Sequence, residues 1–145
     1  MAQTITHHLV QAARAHRSRA ATELARIRLH PGQDSVLKLL GERDGRTMGE
    51  IAEALAIQPP TVTKMVTRLS CAGLVERRGV QGDMRKAAVY LTTAGRGKIA
   101  EIDAIWNRLE ARALSGFCQD GQESLRQQLT AIETNLSRAH SRPMA

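Results

Sequence analysis

Aromatic residues are nearly absent from this chain: one Phe, one Tyr and one Trp among 145 residues. Strands favour aromatic and β-branched side chains, so a core drawn mainly from Leu, Ile, Val and Ala points to packed helices. Cysteine is as scarce. Cys71 and Cys118 form neither a disulfide framework nor a metal-type spacing, which fits a reducing, cytoplasmic setting with both thiols buried as structural residues. No apolar stretch approaches the roughly 18 residues of a membrane span. The N-terminus has polar residues and His7-His8 where a signal peptide would have an apolar segment. No membrane partner is expected. A glycine-rich phosphate loop, a nucleophile elbow and a His-Glu-x-x-His sequence are all missing, so neither enzymatic activity nor a cofactor is expected. His7, His8, His16, His30 and His140 share no ligand spacing with cysteines or carboxylates, which leaves no metal site.

What the chain does have is placed positive charge. The net charge is +7, and it lies in blocks. Residues 1–30 carry five arginines against Glu23, a net +4; residues 31–58 come to −2; residues 59–86, with Lys64, Arg68, Arg77, Arg78, Arg85 and Lys86 against Glu76 and Asp83, return to +4. Basic blocks of this kind suit nucleic acid or another acidic partner.

Residues 4–29 lack Gly and Pro and are rich in Ala and Arg, which predicts a helix that His30-Pro31-Gly32 ends. A second helix is expected over about residues 33–43, and Asp44-Gly45 reads as a turn. Thr47-x-x-Glu50 is a capping box opening a short helix with Ile51, Ala52 and Leu55 on one face. Gln58-Pro59-Pro60 turns the chain into a helix over about residues 60–72. Val62, Met65, Val66 and Leu69 would be buried on one side of it, and Gly73 would close it. Proline has no polar side chain with which to cap the helix, so Gln58 is expected to supply the cap. A short strand over 74–78, a polar loop over 79–86 and a strand over 87–91 make a hairpin with a basic tip. From Thr92 onward a long helix follows, and after Gly121 the residues Leu125, Leu129, Ile132 and Leu136 recur at helical spacing in a narrow seam.

A capped helix, a tight turn and a second helix make the helix-turn-helix plan. The second helix presents Thr61, Thr63, Lys64, Thr67 and Arg68 opposite its apolar side, as a helix entering a major groove must. A merely solvated helix face would look the same. The hairpin decides between them. Leu74-Val75-Glu76-Arg77-Arg78, then Asp83-Met84-Arg85, then Leu91-Thr92-Thr93-Ala94-Gly95 closely resemble the wing of the MarR family of bacterial winged helix-turn-helix regulators. The helix pair lines up with that family too, and the similarity covers about residues 30 to 97.

The resemblance implies a mainly α fold with a small β-hairpin. A winged helix-turn-helix core over 31–95 would be flanked by dimerisation helices over 1–30 and 96–145. It implies that Arg85 enters the minor groove with Asp83 as its organiser, while Arg77, Arg78 and Lys86 meet phosphates. It also implies a homodimer on a pseudo-palindromic double-stranded operator, a repressor released by a small aromatic or anionic effector. The seam of Leu125, Leu129, Ile132 and Leu136, with Leu9 on the first helix, would make the dimer contact; the alternative is that the seam packs on the chain's own first helix. Trp106, Arg14 and Arg17 are candidates to line an effector pocket, although Trp106 fits a core position better. The Pro59-Pro60 pair departs from the family turn, which argues against base contact at position 60. The competing reading is a winged-helix module that binds an acidic protein partner.

Overall fold

The computed structural model describes the backbone of residues 4–80 and 83–138, and their side chains except at 80, 83–86 and 138. The chain order is α1 (Ile5–Arg26), α2 (Gln33–Glu42), β1 (Arg46–Thr47), α3 (Met48–Leu55), α4 (Pro59–Cys71), β2 (Val75–Val80), β3 (Asp83–Leu91), α5 (Thr93–Ala113) and α6 (Gln119–Arg138). It is a mainly α winged helix-turn-helix, as the resemblance implied.

Three helices end in the same way. After α4, the Leu74 amide donates to the Leu69 carbonyl and the Gly73 amide to the Ser70 carbonyl, both at 3.0 Å. This is the Schellman closure, with Gly73 at a left-handed φ of 73°. The same pair of bonds closes α1 with Arg28 at φ 61° and α3 with Ala56 at φ 51°. Side chains pay a steric penalty there that glycine avoids. The chain therefore leaves α1 at Arg26, short of the Pro31-Gly32 pair that the sequence suggested as its terminator.

The wing is larger than a hairpin. Arg46 and Thr47 pair with Val89 and Ala88 along the outer edge of β3, which gives a three-stranded antiparallel sheet in the order β1-β3-β2. Gly45, at φ 71°, turns the chain onto that edge and donates its amide to the Val89 carbonyl at 3.1 Å. A two-residue strand is too short to show a periodicity, so sequence reading missed it. The expected loop over 79–86 also shrinks. Strand β2 runs to Val80 and β3 resumes at Asp83, with a register irregularity between Arg78 and Val80.

The chain divides into two compact units, Met1–Leu109 and Glu110–Ala145. The core lies in the first. Leu24, Val36, Leu37, Leu40, Ile51, Val62, Val66, Leu69, Val89, Ile102 and Ile105 are at most 2% exposed. Each fully buried aliphatic side chain contributes about 1.5–3 kcal/mol from area removed from water. Among the described residues of α6, by contrast, none is buried. No helix of the described residues is long and apolar enough to cross a membrane.

Candidate nucleic-acid interface

Helix α4 starts on two prolines at its first two positions, and Gln58 makes no side-chain cap bond. The expectation of a glutamine cap is therefore corrected, for a simple reason. The amides that a cap would satisfy are absent from Pro59 and Pro60, and the Thr61 and Val62 amides already donate to the Gln58 carbonyl, at 3.0 and 3.2 Å. The fixed φ of proline supplies the rest. In front of it, the Thr47 hydroxyl accepts from the Glu50 amide at 3.2 Å and the Glu50 carboxylate accepts from the Thr47 amide at 2.7 Å, completing the capping box of α3. That amide bond and the Arg43 guanidinium hold the Glu50 carboxyl below the usual carboxylate range.

Val62, Val66 and Leu69 bury one side of α4, and Thr61, Thr63, Lys64, Thr67 and Arg68 are all exposed on the other. The Thr63 hydroxyl donates back to the Pro59 carbonyl at 3.1 Å, which leaves its lone pairs outward as acceptors. Arg77 then links wing to helix: its Nη2 donates to the Thr67 Oγ1 at 3.0 Å. The sequence placed Thr67 and Arg77 on the binding surface but not in one unit. Only the fold brings residues ten positions apart on a helix and a strand together.

Arg77 and Arg78 do not share a face. Successive strand residues alternate, so Arg78 lies with Glu76 and Tyr90. It donates to the Glu76 carboxylate and rests 4.4 Å from the Tyr90 ring centroid. The Glu76 partnership raises its pKa further above the ordinary arginine value. Arg85, Lys86 and Asp83 belong by backbone to β3; their side chains lie outside the described ones.

Two further devices position the wing. The Asp44 Oδ1 accepts from the Leu91 amide at 2.9 Å and from the Gly45 amide at 3.1 Å, while its Oδ2 accepts from Arg96 at 2.7 Å. One carboxylate thus ties the turn before β1 to the end of β3 and to α5. The second device is the Leu-Thr-x-x-Gly segment. The Thr92 hydroxyl donates to the Gly73 carbonyl at 2.6 Å and accepts from the Gly95 amide at 3.1 Å, capping α5. A Cβ at Gly95 would stand 2.0 Å from the Leu74 carbonyl oxygen. Glycine is required there by space, since α5 begins directly against the backbone entering the wing.

Elsewhere the structure revises two expectations. Trp106 is 38% exposed instead of belonging to the core. Its Nε1 donates to the Asp34 Oδ2 at 2.9 Å, and Lys38 lies 5.6 Å from its ring centroid while pairing with Asp103. The bond to the buried Asp34 carboxylate satisfies the indole N–H and holds that edge inward, while the rest of the ring stays partly open. Cys71 and Cys118 are both exposed, not buried, because neither stands on the apolar side of its segment. Among the described residues no group of His, Cys, Asp and Glu could hold a metal ion. The expected dimer residues are partly or largely open: Leu9, Leu125 and Ile132 partly buried, Leu129 42% and Leu136 64% exposed.

The capped α3, the tight turn into α4 and the three-stranded wing define a winged helix-turn-helix protein. Comparison with known proteins narrows this. A sequence model of the MarR family matches residues 29–86. The chain is 33% identical over 121 residues, 83% of its length and 87% of the relative's, to the uncharacterized HTH-type transcriptional regulator YwoH of Bacillus subtilis (strain 168). Among solved structures it is similar to the transcriptional repressor CouR bound to a 23-mer DNA duplex, with 29% identity, a TM-score of 0.81, and coverage of 90% of this chain and 92% of that one. The fold also matches the S. aureus MepR–DNA complex, with a TM-score of 0.84, 23% identity and coverage of 91% and 98%. The chain belongs to the MarR family and is a DNA-binding transcriptional regulator.

Proposed function

We propose that this regulator is a repressor that binds a pseudo-palindromic operator as a homodimer and leaves it when a small aromatic or anionic effector binds. The bond between Arg77 and Thr67 carries the reading. It joins wing and recognition helix into one surface, in which the helix offers hydroxyls and cations to the major groove while the wing follows the backbone. In this assignment Thr61, Thr63, Lys64, Thr67 and Arg68 face the groove and Arg77 and Lys86 meet phosphates. Arg78 meets phosphate only after leaving Glu76. Arg85 reads the minor groove with Asp83 as its organiser. CouR, which is similar over most of its length, is a repressor captured on DNA, and that supports the repressor reading.

Residues 31–95 form the DNA-binding part, and residues 1–30 and 96–145 the dimerisation parts. The seam of Leu125, Leu129, Ile132 and Leu136 supports a second copy as the partner, because an apolar stripe with two of its four residues exposed and two only partly buried calls for a cover. Half-exposed Trp106, with Arg14 and Arg17 on α1, is the proposed lining for the effector.

Selection of bound sequences from a random duplex pool is the direct test. The recovered site is expected to be a pseudo-palindrome with half-sites about one helical turn apart. It should bind at least about 10³-fold more tightly than random duplex at physiological salt. Equal affinity for both would reject the repressor and favour a module for an acidic protein partner. Arg85→Ala should weaken operator binding while thermal stability and dimerisation stay unchanged; intact affinity would remove Arg85 from the minor groove.

A further inference from the structure

Helix α4 has a narrow chemical repertoire on the side it turns to solvent. Val62, Val66 and Leu69 are buried, so helical spacing puts Pro60, Lys64 and Thr67 on the opposite, outward line, with Thr61 and Thr63 on either side of it. Each of these side chains has a limited set of contacts left to offer. Pro60 has no hydrogen bond to give. Thr67 already accepts from Arg77 at 3.0 Å, which commits it to the wing. The Thr63 hydroxyl hydrogen is held by the Pro59 carbonyl at 3.1 Å, so its oxygen can only accept, and its methyl is the other group it brings to a partner. Lys64 brings donors alone. Lys38 and Lys98 are each held by a carboxylate, at 2.5 and 3.0 Å, whereas Lys64 has no such partner among the described residues.

The residue types that α4 lacks matter as much. From Pro59 to Cys71 it has no Asn, Gln, Asp or Glu, and the nearest carboxamide, Gln58, stands just before the helix. Carboxamides are the bidentate readers of adenine, and carboxylates accept from the cytosine amine. Neither reading is open to the helix itself. What it does hold is a cation for the guanine edge, where O6 and N7 both accept, and threonine methyls for the C5-methyl of thymine. We propose that Lys64 reads a guanine in each operator half-site, and that Thr61 and Thr63 read thymine methyls within about two base pairs of it. This rests on the operator-binding role proposed above and specifies the class of sequence bound. The spacing follows from geometry: neighbouring side chains on a helix surface stand about 5–6 Å apart, and successive base pairs about 3.4 Å apart. Lys64 meets a base and not a phosphate because it lies on the outward line of the N-terminal half, the part of a recognition helix that reaches base edges.

The test uses the duplex that the wild-type protein selects from a random pool. Selection of no preferred site rejects the operator reading and this proposal with it. A preferred site that lacks guanine and thymine at this spacing overturns this proposal alone. Repeated with Lys64→Ala, the selection is expected to lose its preference at the guanine and keep it elsewhere. Uniformly lower affinity with every preference intact would make Lys64 a phosphate contact and overturn its reading of guanine. Uracil in place of thymine deletes one methyl and nothing else. At each thymine that is read, the exchange is expected to cost about fourfold in affinity by anisotropy titration, the weight of one methyl taken out of water. That loss should vanish when the facing threonine is changed, in Thr61→Ser or Thr63→Ser. Thr63→Ser retains the hydroxyl for the Pro59 carbonyl and gives up only the methyl. Both threonines and Lys64 are exposed, so wild-type melting temperatures check that all three variants fold. Uracil tolerated throughout the site would leave its A·T pairs to another reader, such as Gln58 on adenine, and overturn the methyl reading.

Discussion

The winged helix-turn-helix and the last helix treat their apolar residues in opposite ways. In the first unit, α2, α3, α4 and the sheet bury their Leu, Ile and Val side chains almost completely, with Val36, Ile51, Val62, Val66 and Val89 at 0% exposure. In α6 the seam of Leu125, Leu129, Ile132 and Leu136 is left partly or mostly open. The binding region is thus complete within one chain, closed by caps and by close backbone contacts. Among the described residues of α6 the apolar stripe is at most partly buried. Stability of the one should depend on local fit, and use of the other on a partner.

The largest expected effect attacks the self-contained side. Gly95→Ala forces a methyl to within 2.0 Å of the Leu74 carbonyl oxygen, and backbone cannot yield as a flexible side chain does. A loss of about 3 kcal/mol or more is expected, measured by urea unfolding, together with weakened DNA binding. A wild-type denaturation midpoint would mean that α5 does not rest on the wing entry. Next comes the open side. Leu129→Glu with Leu136→Glu should leave unfolding of the first unit nearly unchanged. The same pair should convert the proposed dimer to a monomer in sedimentation equilibrium and reduce operator affinity about 10²-fold through lost bivalency. Dimers persisting in the double variant would assign α6 another purpose.

Within the binding region the two neighbouring arginines sharpen the contrast further. Arg77→Ala removes the helix-to-wing bond and the proposed phosphate contact, so affinity should drop about tenfold and the salt slope by about one. Arg78→Ala should do less, since Arg78 is engaged by Glu76 and Tyr90. Reversal of that order would place the other face of β2 against DNA.

The smallest effect is a pH dependence at the α3 cap. Glu50 has a folded-state pKa lowered by the Thr47 amide and Arg43. Its contribution is therefore present above the ordinary glutamate pKa of about 4.3 and lost as pH falls through the lowered folded value. The melting temperatures of wild type and Glu50→Ala should differ at pH 7 and converge below about pH 4. A gap that stays constant across this range would show that the carboxylate charge is not what stabilises the cap.

Much of the fold was legible from local chemistry. The Thr47-x-x-Glu50 capping box, the Pro59-Pro60 entry to α4 and its Val62-Val66-Leu69 stripe all depend on residues within a turn or two of each other, and each formed as read. The Leu91-Thr92-x-x-Gly95 pattern was visible as a family mark, yet its reason was not. The reason is a carbonyl twenty-one residues away, at Leu74. Strand β1 escaped notice because its two residues are strands only by virtue of β3 beside them. The exposure of Trp106, Cys71 and Cys118 was misjudged for a related reason: composition suggests what side chains prefer, while the partner at hand decides where they sit.

By itself, then, the amino-acid order determined where the helices cap, which face of each turns inward and which family the chain resembles, because these follow from periodicity and short-range hydrogen bonding. Tertiary structure alone decided that Arg77 serves α4 while Arg78 serves its own sheet. It decided too that Asp44 ties three elements together. Those relations depend on distances between segments remote in sequence, and only packing brings such segments together.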